Sequence, residues 1–95
     1  MDNSSIRILV VDDEADIRKV VRLLLQSKGY SVCEAANGQL ALETVSREEI
    51  DLIVMDIMMP HLSGIEATEQ IRRISLAPIL FLTALNPVFL ARSNS

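Results

Sequence analysis

Short apolar runs alternate along the chain with longer stretches in which apolar residues recur at helical spacing. Four runs predict strands, over Ile6–Val11, Ser31–Ala35, Leu52–Asp56 and Pro78–Thr83. The third run is apolar from Leu52 to Met55, which is typical of a strand buried on both faces of a parallel sheet. An ionised carboxylate inside such a core is costly, so Asp56 is expected at the carboxyl end of this strand.

Helices are predicted between these strands, over Glu14–Lys28, Gly38 to about Arg47, and Gly64–Ile74. The first has apolar residues at i, i+3, i+4, i+7 and i+8, beginning at Ile17. Asn37 and Ser63 are the predicted N-caps of the other two, and Glu66 completes a capping box with Ser63. The inward residues of the third helix are predicted to be Ile65, Thr68, Ile71 and Ile74.

This alternation predicts a single α/β domain with a doubly wound parallel sheet, because right-handed crossover helices join consecutive parallel strands. A chain of 95 residues is long enough to bury a core of this kind. Asn86-Pro87 has the pattern of an N-cap followed by proline, so a short fourth helix is predicted to begin there and end near Ser95.

Composition and charge narrow the classes of function. The net charge of −4, the absence of a basic run and the low aromatic content of 3 % argue against direct nucleic-acid binding. No apolar run approaches the ~20 residues of a membrane span, and the first residues lack a signal-peptide pattern. The single Cys33 is predicted to be a buried free thiol. A cytoplasmic protein without a membrane partner is therefore expected.

Acidic side chains follow two of the predicted strands, and a hydroxyl follows a third. Asp12 and Asp13 come after the first strand, Asp56 ends the third, and Thr83-Ala84 end the fourth. Taken singly, each has an ordinary structural explanation: acids before a helix often cap it, and a lone aspartate often lies in a turn. Their joint occurrence at carboxyl strand ends, where open α/β sheets place reactive groups, favours a functional site.

Three converging carboxylates need a counter-charge. Two unit charges 4 Å apart repel by about 4 kcal/mol at an effective dielectric constant of ~20. A proton or a hard cation would relieve this repulsion, and oxygen ligands favour Mg²⁺ or Mn²⁺. Asp56 could then attack a phosphoryl group, and Thr83 could donate a hydrogen bond to its oxygen beside the small Ala84.

The stretches Ile8–Glu14, Leu52–Pro60 with Gly64, and Leu82-Thr83-Ala84 together resemble the receiver domain of two-component response regulators, a CheY-like family with a flavodoxin-type fold. The resemblance covers about residues 6–84. It implies the strand order 2-1-3-4 for the strands present. It also implies that Asp56 is the phosphoacceptor, that a histidine kinase or phosphotransfer protein is the partner, and that Thr83 and Ala84 contact the phosphoryl group. The implied Mg²⁺ ligands are Asp12, Asp13, Asp56 and the backbone carbonyl of Met58.

The chain departs from the family after Ala84. The family has a fifth strand that ends near a lysine, followed by a last helix, whereas Leu85–Ser95 contains no lysine. Residues 1–95 are therefore expected to form a C-terminally truncated receiver domain whose phosphorylation chemistry is weakened. The fourth strand would then lie at an edge of the sheet. Since long apolar edges invite pairing with another chain, self-association through this strand is expected.

Three functions fit these residues. The first is a phosphoacceptor receiver module, which is a signalling component rather than a conventional enzyme. The second is a phosphorylation-impaired receiver fragment that acts as an interaction or dimerisation module, which the missing lysine favours. The third, a Mg²⁺-dependent phosphatase with an aspartyl nucleophile, would need a second acid two residues after Asp56, where the chain has Met58.

Overall fold

A computed structural model describes residues 3–59 and 63–82 of the chain. Strands and helices alternate in the order β1 (Arg7–Val11), α1 (Ala15–Ser27), β2 (Ser31–Ala35), α2 (Gly38–Arg47), β3 (Leu52–Asp56), α3 (Gly64–Ile71) and β4 (Ile79–Leu82). Every strand pair is parallel, and the sheet order is β2-β1-β3-β4. The predicted α/β class and strand order are thus confirmed. The predicted end of the fourth strand at Thr83 and the predicted fourth helix lie outside the described residues.

The helices cover the two faces of the sheet unequally. α2 and α3 contribute Ala41, Ala67 and Ile71 to one buried cluster, together with alternate residues of β1 and β3 such as Leu9 and Ile53. α1 lies on the opposite face, as the reversal of crossover direction after β2 requires. None of the α1 side chains is fully buried. The main core therefore lies between the sheet and the helix pair α2 and α3.

Short polar contacts define the helix ends. The Asn37 carboxamide oxygen accepts the Leu40 N–H at 2.8 Å, and the Ser63 hydroxyl accepts the Glu66 N–H at 3.2 Å, as predicted for N-caps. α1 is one residue shorter at each end than predicted, because Glu14 and Lys28 are its flanking cap residues.

The packing of α3 differs from the prediction. The helix ends at Ile71, not Ile74, and residues 72–75 continue as hydrogen-bonded turns. The Arg72 guanidinium donates to the carbonyls of Ser75 and Ala77, in the segment that leads to β4. Ile65 and Ile74, which were predicted to face inward, are exposed; the buried α3 residues are Gly64, Ala67 and Ile71. The small side chains let α3 approach the sheet closely.

β4 is the outermost strand of the described sheet on the side of β3. Ile79 and Phe81 pack against the main core, so Leu80 points to the opposite face, where it is 57 % exposed. Its register partner Val54 is buried. An apolar side chain is therefore left open to solvent at this edge.

Two other expectations concern the thiol and the membrane. Cys33 is a free thiol but only half-buried, with its Sγ 3.8 Å from the Ile8 carbonyl oxygen. Among the described helices, none has the length and apolar character needed to cross a membrane.

Candidate functional site

Strand register brings the first and third strand ends together. β1 and β3 are adjacent and parallel, and Val11 pairs with Met55. The next residues along the two strands are Asp12 and Asp56. Because side chains at the same register position of neighbouring strands lie side by side, both aspartates reach the same edge of the sheet.

Three carboxylates converge at this edge. Asp12, Asp13 and Asp56 each offer one oxygen atom, and these oxygens lie within 4.8 Å of one another. Asp12 is 4 % exposed, Asp56 is half-buried and Asp13 is exposed. The cluster therefore meets solvent at Asp13. Thr83 and Ala84, the predicted phosphoryl contacts, lie outside the described residues.

Backbone N–H groups orient two of the carboxylates. Asp12 Oδ1 accepts the Glu14 N–H at 2.9 Å, and Asp56 Oδ1 accepts the Met58 N–H at 3.0 Å. Both are bonds from an aspartate to the backbone two residues on, a turn that short acidic side chains favour. Each strand end is thus followed by a turn that keeps its carboxylate at the sheet edge.

The two oriented carboxylates hold their protons more tightly than an ordinary aspartate. Burial raises the pKa of Asp12 from 3.8 to about 6, and the nearby charges of Asp56 and Asp13 act in the same direction. Burial also raises the pKa of Asp56, although the Met58 N–H opposes the change. The fold therefore concentrates negative charge at a place where burial makes it unfavourable.

This donor set suits a hard divalent cation. It consists of carboxylate oxygens only, and Mg²⁺ and Mn²⁺ prefer such ligands to nitrogen or sulfur. Burial and the charges of neighbouring carboxylates raise the pKa values of Asp12 and Asp56, so a bound cation would relieve an unfavourable concentration of negative charge. The residues present therefore fit the metal that the sequence predicted.

A family model described as "Response regulator receiver domain" matches residues 8–93 of the chain. The chain belongs to this family. It is a receiver domain of the kind found in response regulators, and its place is in two-component signalling. The resemblance seen in the three sequence motifs is thereby confirmed.

Several known proteins are similar to this receiver domain. The probable transcriptional regulator ycf27 of Cyanidium caldarium is 47 % identical over 81 residues, which are 85 % of this chain and 32 % of that protein. Transcriptional regulatory protein ResD of Bacillus subtilis is 46 % identical over 78 residues, which are 82 % of this chain and 32 % of ResD. The receiver domain thus spans about a third of the length of these curated relatives.

Solved structures show the same fold. The response regulator TrrA of Thermotoga maritima, described in complex with Mg²⁺-BeF, is 39 % identical with a TM-score of 0.78, and the match covers 90 % of this chain and 75 % of TrrA. The chemotaxis protein CheY4 of Vibrio cholerae is 33 % identical with a TM-score of 0.79, covering 94 % of this chain and 78 % of CheY4.

Three methionines lie beside the site, and they differ in exposure. Met55 and Met59 are buried, but Met58 is 81 % exposed. Its N–H is directed at Asp56, and the turn that makes this bond leaves its side chain in solvent. The backbone of Met58 is thus part of the site, while its side chain is at the receiver surface.

Sequence reasoning missed Arg18, which contacts the site from α1. Its Nη1 donates to the Asp12 carbonyl oxygen at 2.7 Å, and its Nε donates to a Glu34 oxygen at 3.1 Å. Arginine in the first turns of an amphipathic helix is ordinarily a solvated residue, so no local signal marks it. Only the pairing of β1 with β2, which brings Glu34 beside Val10, reveals the contact.

Gly64 sets the distance between α3 and β3, the strand that ends in Asp56. A Cβ at this position would lie 2.5 Å from the Asp56 carbonyl oxygen and 2.9 Å from the Ile57 Cα. The Gly64 N–H also donates to the Ile57 carbonyl at 3.0 Å. The start of α3 therefore rests directly on the backbone that carries Asp56, and only glycine leaves room for this contact.

Gly64→Ala is expected to lower the free energy of unfolding by about 3 kcal/mol, the upper end of the usual cost of overpacking, because the clash is with backbone. It should also weaken Mg²⁺ binding, since the Asp56 backbone must move. Urea unfolding and Mg²⁺ titration measure the two effects. Gly29→Ala is the matched control: Gly29 has φ +92°, so this change costs stability far from the site and should spare Mg²⁺ binding. Unchanged stability in Gly64→Ala would contradict the prediction.

Proposed function

We propose that this receiver domain accepts a phosphoryl group on Asp56 from the phosphohistidine of a histidine kinase or phosphotransfer protein, in a Mg²⁺-dependent reaction. The observation that carries the proposal is the meeting of three carboxylates, with oxygens within 4.8 Å of one another, at the carboxyl ends of β1 and β3. Asp56 is the last residue of β3, at the carboxyl end of the sheet, where open α/β sheets place reactive groups.

The proposed step is a displacement at phosphorus. A carboxylate oxygen of Asp56 forms a new bond to phosphorus while the P–N bond to the donor imidazole breaks, and the imidazole leaves with that electron pair. The product is an aspartyl phosphate and a free histidine. The Met58 N–H binds Oδ1 of Asp56 at 3.0 Å and so fixes the carboxylate plane, leaving the second oxygen to react.

Asp12, Asp13, Asp56 and the backbone carbonyl of Met58 would hold the Mg²⁺. When bound, the cation neutralises negative charge between the carboxylates and the incoming phosphoryl oxygens. The TrrA structure, at 39 % identity, is described as a complex with Mg²⁺-BeF, which supports the same ligand chemistry here. Contacts from Thr83 and Ala84 to the phosphoryl group stay predictions.

The proposal is tested by incubating the chain with Mg²⁺ and acetyl phosphate and following its intact mass. We expect the mass of one phosphoryl group to be added with Mg²⁺ and not with EDTA. A folded chain that takes up no phosphoryl group would favour the alternative, a phosphorylation-impaired receiver that acts through its contacts. Beryllofluoride with Mg²⁺, followed by NMR, gives an independent measure of whether the site forms.

The wider role proposed is signal transduction rather than conventional enzyme catalysis. The curated relatives named above are transcriptional regulators about three times the length of the matched region. We propose that residues 1–95 form one receiver unit that passes on its phosphorylation state through protein contacts, without binding DNA itself. A cytoplasmic location stays a prediction.

Self-association through β4 is proposed as a further partner contact. β4 lies at the edge of the described sheet, and Leu80 is 57 % exposed there. An unpaired apolar strand favours pairing with a second copy. We expect light scattering after gel filtration to show a dimer that dissociates on dilution, and Leu80→Lys to shift it to monomer. Leu76→Lys, at a 92 % exposed leucine outside the strand, is the control and should leave the dimer intact. A parent chain that is monomeric at all concentrations would rule this contact out.

A further inference from the structure

We propose that Arg18 is a positioning residue of the acidic site. It holds the peptide between Asp12 and Asp13 in the orientation that directs the Asp13 carboxylate toward Asp12 and Asp56. The inference rests on the proposed Mg²⁺ role of these carboxylates, and it adds a residue from α1 that is not itself a ligand.

Arg18 is held by two contacts at once. Its Nη1 donates to the Asp12 carbonyl oxygen at 2.7 Å, while its Nε donates to Oε1 of Glu34 at 3.1 Å. The side chain is 17 % exposed. The second oxygen of Glu34, Oε2, pairs with Arg22 Nε at 2.7 Å. Because the guanidinium is planar and its donors are fixed relative to one another, the bond to Glu34 also fixes the bond to the Asp12 carbonyl.

The Asp12 backbone is thereby held on both sides. Its N–H donates to the Ala35 carbonyl at 3.2 Å, and its carbonyl accepts from Arg18. The Asp12 carbonyl and the Asp13 N–H belong to one planar peptide unit, so fixing the carbonyl also fixes the direction in which Asp13 leaves the strand. A hydrogen bond from a charged donor is stronger than one between neutral groups, which suits Arg18 to this role.

Asp13 depends on this backbone orientation. Asp13 is exposed, and within residues 3–59 and 63–82 its carboxylate makes no hydrogen bond. In contrast, the carboxylates of Asp12 and Asp56 are each oriented by an N–H. The peptide that Arg18 holds is therefore the element that keeps an otherwise unrestrained ligand within 4.8 Å of the other two.

Arg22 provides a matched control. It is an arginine one turn further along α1, it pairs with the same Glu34, and its partner atom is the other carboxylate oxygen. Removing it costs a similar ion pair but leaves the bond from Arg18 to the Asp12 carbonyl in place. Removing a positive charge beside the acidic cluster would by itself strengthen Mg²⁺ binding, so weaker binding confined to the Arg18 variant reports loss of the carbonyl contact.

The test compares Arg18→Ala with Arg22→Ala by Mg²⁺ titration, using Mg²⁺ alone. We expect Arg18→Ala to weaken Mg²⁺ binding about tenfold, the lower end of the effect of residues that orient metal ligands, and Arg22→Ala to bind like the parent. If Arg18→Ala does not fold, the conservative pair Arg18→Lys and Arg22→Lys takes its place. A lysine keeps the charge but lacks the planar guanidinium that fixes the two contacts relative to each other, so Arg18→Lys should again be the weaker binder. Equal Mg²⁺ affinities in the paired variants, with Mg²⁺ binding by the parent, would overturn the positioning role of Arg18 but not the proposed function.

A metal-free measurement separates this inference from the proposed function. The Asp13 amide shares a peptide with the Asp12 carbonyl, so its NMR signal in EDTA should shift in Arg18→Ala and stay in place in Arg22→Ala. If the parent binds no Mg²⁺, the proposed function fails, and the amide shift alone then decides whether Arg18 orients the peptide. An Asp13 signal that is the same in both variants would overturn the role of Arg18.

Discussion

Asp56→Asn is expected to abolish phosphoryl uptake from acetyl phosphate while leaving the fold intact. The amide has nearly the shape of the carboxylate, and its oxygen can still accept the Met58 N–H that the structure places at 3.0 Å. It lacks the anionic oxygen that would attack phosphorus, so the loss should be complete. Intact mass after incubation with Mg²⁺ measures the added phosphoryl group, and the thermal transition of the variant shows that the chain remains folded.

The matched control for this change is Asp16→Asn. Asp16 is an exposed carboxylate in the first turn of α1 and is not one of the three that converge. The same loss of charge at Asp16 should leave phosphoryl uptake unchanged. Uptake that persists in Asp56→Asn would assign the modified group to another residue and would remove the main support for the proposed function. Uptake lost in both variants would point to an effect of net charge instead of a nucleophile.

The placement of Asp56 could be predicted because a single physical rule governs it. Four apolar residues before the aspartate demand burial, and the carboxylate demands solvent or a partner, so the strand has to end there. The structure gives the same bounds for this strand, Leu52–Asp56. Where burial and charge compete so directly within a few residues, the sequence alone determines both the element and its end.

The packing of α3 could not be predicted in this way. Sequence reasoning assigned the large apolar residue Ile65 to the interior, following the rule that such residues are buried. In the structure the helix turns Gly64 and Ala67 toward the sheet, and Ile65 is exposed. The decisive constraint is the contact of Gly64 with the backbone of Asp56, which is a tertiary distance that no periodicity along the helix records.

The role proposed for Arg18 could not be predicted from the sequence either. Its contact with the Asp12 carbonyl depends on where Glu34 lies, and that position is set by the parallel pairing of β1 with β2. Sequence patterns find residues whose chemistry is unusual for their surroundings, such as acids at the ends of apolar strands. An arginine on a helix is not unusual, so its part in the site emerges only from the assembled fold.

We also expect the unfolding free energy of the metal-free chain to depend strongly on pH. The folded-state pKa of Asp12 is about 6, above its ordinary value of 3.8, because burial disfavours the charged form. Between these two pH values the folded chain binds more protons than the unfolded chain, so stability falls as pH rises through this window. At about 1.4 kcal/mol per pH unit, the largest loss of unfolding free energy that Asp12 could cause is about 3 kcal/mol. Solvent reaches the cluster at the neighbouring Asp13 and screens the charge of Asp12, so the expected loss is about 1–2 kcal/mol.

Asp12→Asn should remove this loss, because the amide carries no charge and its oxygen can still accept the Glu14 N–H. In EDTA the variant is expected to be about 1–2 kcal/mol more stable than the parent at about pH 8, with the two converging as the pH falls below about 4. Urea unfolding across this range measures the difference, and Asp16→Asn should show no such pH-dependent gain. Added Mg²⁺ should reverse the order, since a ligand that binds only the folded state stabilises the parent by mass action while the variant has lost one ligand. A variant no more stable than the parent at high pH would show that the buried carboxylate is compensated within the fold. The acidic cluster would then not be an unfavourable arrangement of charge that a cation would relieve.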